Sequence, residues 1–517
     1  MKQNRSVEVF AAVCTGAAVA ASASLAADIL VPQDAPTIQA GIDLAQSGDR
    51  VLVGPGTYVE QIDLGGRNIT IESTDGADVT TIDGGGTAGF VVTVNSGETD
   101  AALIGFTVTG GFGEAGSLGA GPGGGMRVEG ASVTIENTLF TGNVGIEGGG
   151  LSISDGSAII RHSRFENNQA IHGGGMYIEL GTLTLESSSF DGNSAPNFGG
   201  ALAIFWLTDA AVSDTTFVGN AAGFGGAIYT NHADIDFHRL SIIDNGKAEE
   251  GEHGGWTIST LGGGGIYTTS TNGRINASRI RNNIAAAGSG LYIAGSGTVE
   301  VVNALIAENG TVCNCGQGAV YANSASPVII NSTIVGNGGF FGIFTTYNSF
   351  PTVRNTIIAG QQNALDSQSP TAGNGLTDVA FSLLQGDPFA ATTGDGNIVV
   401  EDFPLLDGDA DFAPLAGSAV IGAGTNSAVP ADITTDLLGN NRIVGGTVDI
   451  GAIEFGSASD PKSGIPGDVN GDGIVDMYDL MMLLSAWGPC HGDCPEDLAG
   501  NKRVGITDAL ILLEHMR

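Results

Sequence analysis

One mark recurs through the middle of the chain: a large apolar residue followed three positions later by asparagine. Phe140 leads to Asn143, Phe165 to Asn168, Phe190 to Asn193 and Phe217 to Asn220; looser copies run from Ile242 to Asn245, Ile280 to Asn283, Ile306 to Asn309 and Ile334 to Asn337. The asparagines are 25, 25, 27, 25, 38, 26 and 28 residues apart. A repeat of this length is one supersecondary unit that cannot bury its apolar side alone and must stack on its neighbours. Glycine clusters follow several marks, at 148–151, 173–176, 199–202 and 225–228. Short runs between them, such as 132–136 and 181–185, alternate with period two, the strand period. Each repeat therefore reads as one coil of short strands, paired in parallel with the next coil at about 4.8 Å. Glycine permits the corners, and asparagine tolerates left-handed backbone and can stack in ladders. The register places Phe140, Phe165, Phe190 and Phe217 inside, one above the other. Ile135, Ile160, Leu185 and Val212, five residues earlier, point inward beside them.

This pattern resembles the right-handed parallel β-helix of the pectate-lyase-like superfamily. Phe217–Asn220 and the run Gly225-Gly226-Ala227-Ile228 look like the repeats of polymorphic outer membrane proteins. Residues 37–45 can form an amphipathic cap helix, and 48–58 resemble the first coil of many such helices. The resemblance covers roughly residues 28–400 and implies an all-β, single-stranded parallel β-helix. It is specific for fold, and the fold hosts unrelated activities. Residues 412–455 resemble the closing segment of bacterial surface β-helix proteins that carry varied C-terminal anchors.

Domain boundaries follow from composition. Lys2 and Arg5, an Ala-rich apolar run over 9–21 and the small residues Ser24-Leu25-Ala26 read as an export signal over 1–26. The β-helix with its cap and closing segment occupies 27–455, a Gly/Ser/Pro linker 456–466, and a small module 467–517. No later stretch reaches 18 apolar residues, so no transmembrane segment is expected in the mature chain, which is read as secreted or held at a bacterial cell surface. Eighteen basic against 55 acidic residues give a net charge of −37, which leaves no electrostatic footprint for nucleic acid.

The sharpest chemical motif lies in the small module. Asp468, Asn470, Asp472, Asp476 and Asp479 put side-chain oxygens at positions 1, 3, 5, 9 and 12 of a loop; Gly473 sits at position 6, and Ile474 can offer its carbonyl at 7. Hard oxygen donors at this spacing form a calcium loop. A degraded copy keeps Asp497, Asn501 and Asp508, with Ala499 and Gly505 in place of two ligands, and should bind more weakly. Each loop runs into an apolar helical stretch. The duplicated loop–helix resembles a type I dockerin, which implies Ca2+ as cofactor and a cohesin as partner. Met477-Tyr478 and Ile506-Thr507 stand where that family's recognition favours Ser or Thr, so a surface-anchoring partner is as open as a cohesin. Cys490 and Cys494 flank a Gly-containing turn and are placed to form a disulfide, with metal binding as the alternative; Cys313 and Cys315 decide for neither.

An active site is harder to find. His232, Asp234, Asp236 and His238 alternate along one run and share a face; Asp214, Arg239 and Arg274 fall on neighbouring coils. Asp214, Asp236, His238, Arg239 and Arg274 form the one catalytic candidate, able to bind an acidic sugar or act as acid and base. The alternative is a solvated ladder of charge, as in the column Glu136, Arg161, Glu186. The 38-residue spacing marks an insertion carrying Glu250, Glu252 and Trp256, suited to binding sugar or to covering a coil edge. Two functions remain: a non-catalytic surface β-helix acting in adhesion or polysaccharide binding, or a polysaccharide lyase or glycoside hydrolase carrying a dockerin for assembly.

Overall fold

The computed structural model describes residues 26–113, 124–207, 209–246, 260–311, 318–346, 348–367, 377–386, 391–408, 411–456, 467, 469, 475, 477–489, 498–499 and 502–515. The chain winds as a parallel β-helix with three faces per coil. Strands of the first and second faces merge into one 25-stranded sheet, and those of the third form a 14-stranded sheet. In two coils a single strand bends across the first two faces, Leu151–Arg161 and Met176–Glu186. The bend falls at Asp155 and Leu180, with φ of 50° and 52°.

The inward register is the one the repeats imply. Phe140, Phe165, Phe190 and Phe217 pair in successive strands. Their rings stack at 4.9, 4.5 and 5.0 Å. Ile135, Ile160, Leu185 and Val212 are fully buried beside them. The asparagines form a continuous buried ladder. Asn168 donates from Nδ2 to Asn193 Oδ1 (3.0 Å) and to the carbonyl of Phe140 (2.9 Å), and its backbone N–H also reaches Asn193 Oδ1 (3.0 Å). The same set recurs at Asn193, Asn283 and Asn309. The residue before each asparagine turns into left-handed backbone: Gly142, Asn167, Gly192 and Gly219 have φ of 64°, 54°, 63° and 65°. That turn swings the amide inward, where its four hydrogen-bonding positions meet the coils on either side. The glycine clusters make the next corner. At Gly173, φ is 62° and a Cβ would lie 2.2 Å from the Met176 carbonyl oxygen. A second buried column follows the corner between the second and third faces: the Ser163 N–H donates to Ser188 Oγ at 3.1 Å.

At the N-terminal end, helix α1 (Ile38–Leu44) lays Ile38 and Ile42 on the first coil. Thr37 caps it, and the Glu60 carboxylate accepts from the Ile38 and Gln39 N–H groups. The closing segment folds back along the flank. Val420, Leu437, Ile450, Ala452 and Ile453 cover Leu305, Ala307, Val335, Ile357, Ala359 and Leu383, the outer residues of the third face. Leu305–Ala307, Thr333–Val335 and Ile357–Ala359 are consequently buried on both sides. The segment has almost no regular structure and is tied by a buried polar centre. Arg442, about 1% exposed, donates to Glu454 (2.9 Å) and to the carbonyls of Gly451 and Ala452. Asp436 accepts the N–H groups of Leu438, Asn440 and Glu454.

Beyond it lie two short helices, α2 (Met477–Ser485) and α3 (Ile506–His515), packed on each other around Val469, Val475, Leu483, Val504 and Leu512. Gly488–Pro489 and Arg503–Val504 pair as a two-residue antiparallel ribbon.

The ladder generates a prediction. Asn193→Ala leaves the Asn168 backbone N–H without its acceptor inside the core, which costs about 1–3 kcal/mol. The expected result is a lower thermal midpoint by circular dichroism, with Asp191→Ala, an exposed residue of the same strand, unchanged.

Candidate functional site

Outward side chains of the first face also fall in columns. Ser152, Tyr177, Ala203, Tyr229, Tyr267, Tyr292, Tyr321 and Phe344 are in register on successive coils. The rings from Tyr229 to Phe344 stack face to face at 5.4, 4.5, 4.6 and 5.5 Å. Stacking occupies the ring faces; Tyr229 and Tyr321 are buried within the row, and Tyr267 and Tyr292 are half-buried. Asn231 donates to Tyr229 Oη (3.3 Å) and Asn323 to Tyr292 Oη (3.0 Å). Burial pushes the Tyr321 phenol up to about 12, and Tyr267 is raised by burial and by its tyrosine neighbours, so both keep their protons at neutral pH. Where Ala203 interrupts the row, Phe198 fills the gap, 4.5 Å from Tyr229. Trp206, at the corner after Leu202–Phe205, is 51% exposed and lies 5.7 Å from Phe205.

At one end the row meets a polar cluster. Glu147 and His172 stand at equivalent corners of adjacent coils, each just before the glycine cluster. The Glu179 carboxylate accepts from Tyr177 Oη (3.0 Å) and from Ser154 Oγ (2.9 Å). His172 stacks on Phe198 at 5.2 Å. Its Nδ1 is buried without a hydrogen-bond partner among the described residues. Burial pushes this imidazole below its ordinary value, so it is neutral at neutral pH. Glu147 as a whole is exposed. Its carboxyl is nonetheless crowded by the neighbouring coil, and burial, with Glu179 second, holds it above the usual carboxylate range. The arrangement sets a carboxyl of raised pKa within the electrostatic reach of a second carboxylate that is fixed by two hydroxyls.

The candidate read from the sequence lies on the second face. Asp214 and Arg239 occupy the same left-handed corner in consecutive coils, with φ of 51° each. They form a bidentate pair at 2.5 and 2.6 Å. His238 touches Arg239 through Nε2 and Asn276 through Nδ1 (3.1 Å). Burial and then the Arg239 charge lower its pKa, against Asp214 and Asp236. Arg274 is drawn away from this group, to Glu300 at 2.8 Å and to Asp432 of the closing segment. Asp236 is exposed, in register with Arg274. His232 sits at a corner one residue outside the alternating face, with φ of 51°. The guanidinium groups here are saturated by carboxylates, as is Arg161 between Glu136 (3.5 Å) and Glu186 (2.8 Å). Glu250, Glu252 and Trp256 lie outside the described residues, as do Cys313, Cys315, Cys490 and Cys494.

Of the loop residues, Asp468, Asn470, Asp472, Ile474, Asp476, Asp497 and Asn501 lie outside the described residues. Asp479 and Asp508 are described, and both are fully buried. Asp479 accepts from the Val469 N–H (2.8 Å); Asp508 accepts from the N–H groups of Ala499 and Gly505 (both 2.8 Å).

The sequence signal for the first-face row is a tyrosine directly after the inward residue that follows a glycine or alanine, as in Gly265-Ile266-Tyr267 and Gly290-Leu291-Tyr292. For Glu147 and His172 it is their 25-residue spacing.

The family model described as a right-handed β-helix region matches residues 99–260. No curated protein matches the chain. Among solved structures, the catalytic unit of the GH87 α-1,3-glucanase from Streptomyces thermodiastaticus is 15% identical, over 74% of this chain and 70% of that one, with a TM-score of 0.38. The A-module of the Azotobacter vinelandii mannuronan C-5 epimerase AlgE6 is 15% identical over 71% and 95%, with a TM-score of 0.36. PfbA, a surface adhesin of Streptococcus pneumoniae, is 13% identical over 66% and 85%, with a TM-score of 0.36.

The electrostatics of Glu147 can be read directly. Its folded pKa is raised, so its contribution to stability is complete in acid and is lost as pH rises through that pKa. Glu147→Gln should melt at the wild-type temperature in acid and above it at neutral pH. In a carboxyl NMR titration, Glu179→Gln, which removes the like charge, should move Glu147 back toward the ordinary glutamate value. An ordinary Glu147 titration in the unmodified protein contradicts the assignment.

Proposed function

We propose that this chain is an exported bacterial surface protein that binds a polysaccharide along the first face of its β-helix and is attached or assembled through residues 467–517. The observation that carries the reading is the first-face row. Its register runs over eight coils from Ser152 to Phe344 and carries the half-buried Tyr267 and Tyr292, with Asn231 and Asn323 beside the row and an exposed indole at its rim. At about 4.8 Å per coil, such a face is long and shallow, which suits an extended chain of hydroxylated rings better than a compact metabolite. Export rests on the signal read over 1–26.

For residues 467–517 we infer a dockerin-like calcium module. The two loop–helix units are 29 residues apart, and equivalent positions have equivalent environments. Asp479 and Asp508, Val475 and Val504, and Leu483 and Leu512 are all buried. A buried carboxylate onto which its own loop folds back is what the last ligand of a calcium loop requires, and the donor set from Asp468 to Asp479 fits Ca2+. On α3, Ile506, Leu510 and Leu513 are 71%, 61% and 50% exposed, which supports docking on a protein partner, a cohesin or a surface anchor.

The pair Glu147 and Glu179 favours a second reading, a carbohydrate-active enzyme, glycoside hydrolase or lyase, built on the same face. Two carboxyl groups are the minimum for acid–base cleavage of a glycosidic bond, and the pKa of Glu147 is raised by burial and by the Glu179 charge. A panel of polysaccharides assayed with calcium, for reducing ends and for unsaturated products together, separates the two readings. Retention of a glycan without product supports the binding protein; product release abolished by Glu147→Gln establishes the enzyme.

Calcium removal gives a separate prediction. Chelation should unfold residues 467–517 and leave the β-helix intact, and Asp479→Ala should do the same with calcium present. Calorimetry that shows one transition insensitive to calcium contradicts this.

A further inference from the structure

The structure assigns the first face to an uncharged glycan, a chain of neutral sugars rather than a polyuronate; this rests on the polysaccharide-binding reading above. A polyuronate carries a carboxylate on every residue and needs cationic groups to meet it. Ten arginines between Arg50 and Arg442 are already engaged by carboxylates of this chain. On the first face the outward column runs from Asp63 through Thr93 to Arg127, and that guanidinium is held between Glu129 and the ring of Phe90. The charged groups that follow are Glu147 and Glu179. Lys247 is the only lysine between residues 27 and 455. The field over this face is therefore negative where it meets the polar cluster and neutral along the tyrosine row, and it repels a polyanion.

The groups that remain are those a neutral sugar uses. The half-buried Tyr267 and Tyr292 keep their protons and can donate or accept, and Asn231 and Asn323 place amides along the same row. The Glu179 carboxylate can accept from vicinal hydroxyls as it now accepts from Tyr177 and Ser154. Stacked rings cannot offer their faces, but Trp206 has one half-exposed at the rim, propped by Phe205, where the apolar side of a pyranose can lie. Binding by hydroxyl hydrogen bonds and ring stacking is insensitive to ionic strength, whereas capture of a polyanion is not.

The test uses the full exported chain with calcium. Affinity electrophoresis and calorimetry compare neutral glucans, mannans and xylans with polygalacturonate and alginate, at about 50 mM and about 500 mM salt. The expected result is retention of at least one neutral glycan, with affinity unchanged by salt. Trp206→Ala and Glu179→Gln should each weaken it about tenfold. Asp214→Asn on the second face should leave it unchanged. Circular dichroism verifies that each variant is folded, and Trp206 is exposed enough for its removal to leave the core intact. Binding of a polyuronate in preference, with or without calcium bridging, overturns the assignment while the polysaccharide reading stands. Binding of none of these glycans overturns both. Retention of a neutral glycan that neither Trp206→Ala nor Glu179→Gln weakens moves the site off this face and also overturns the assignment.

Discussion

A buried amide must find partners for all its hydrogen-bonding groups, and in this chain eight such amides, from Asn143 to Asn337, find them in one another. That demand fixes the architecture. Each asparagine accepts from the amide of the coil before it and donates to the coil after, so no coil can slip by a residue without orphaning two ladders at once. The phenylalanine stack and the serine/threonine column obey the same register. Apolar burial makes the solenoid stable, but it is tolerant of position; the asparagine ladder is not, and it sets where every other side chain falls.

A fixed register turns each outward position into a column, and a column of identical charges about 4.8 Å apart is unfavourable by about 1 kcal/mol per contact even in water. The second face answers with alternation: Glu136, Arg161, Glu186, and Asp214 with Arg239. Exposed pairs of this kind contribute little stability individually. Their effect is to keep an acidic chain stackable. From Leu305 onward the third face instead uses apolar outer residues and covers them with the closing segment, which Arg274, Arg279 and Arg281 pin through Asp432 and Asp411. The first face uses aromatic rings, whose stacking is favourable at this spacing.

The interior of the fold was legible because one residue per coil is repeated with the same identity. The outer columns were less so. The tyrosine row is broken by Ala203 and stretched by the insertion that widens one spacing to 38 residues, so its members do not recur at constant spacing. Glu147 and His172 stand at one corner but differ in type, and the glycine clusters drew attention past them. The alternating run from Asp234 to His238 stood out as a candidate because alternation marks a face; it does not say what lies on the coils above and below, and there Asp214 and Glu300 take up the guanidinium groups. The place of the closing segment did have a signal. Leu305–Ala307 and Ile357–Ala359 lack polar alternation, as strands buried on both sides do. What residues 467–517 bind was read from ligand spacing, and the structure adds the matched burial of Asp479 and Asp508.

The one place where the outer columns break their own rule is the start of the first face. Glu129 is paired there with Arg127, Glu179 is held by Tyr177 and Ser154, and Glu147 feels the Glu179 charge. Burial first, and the Glu179 charge second, raise the pKa of Glu147. Elsewhere the chain separates like charges with arginine or replaces them with rings; here Ser154 separates Glu129 from Glu179 in their column, and Glu147, at the corner, is left facing the Glu179 charge. Local rules that hold along a whole solenoid and fail at one cluster point to a function at that cluster. The failure has a definite chemistry: one carboxyl inclined to hold its proton, a second fixed by Tyr177 and Ser154, and a neutral imidazole against Phe198. The cluster lies at the end of a face otherwise lined by hydroxyls and amides. On the proposed glycan-binding reading, a sugar chain following those groups reaches the carboxyls, which makes the face and the acidic cluster parts of one proposed site.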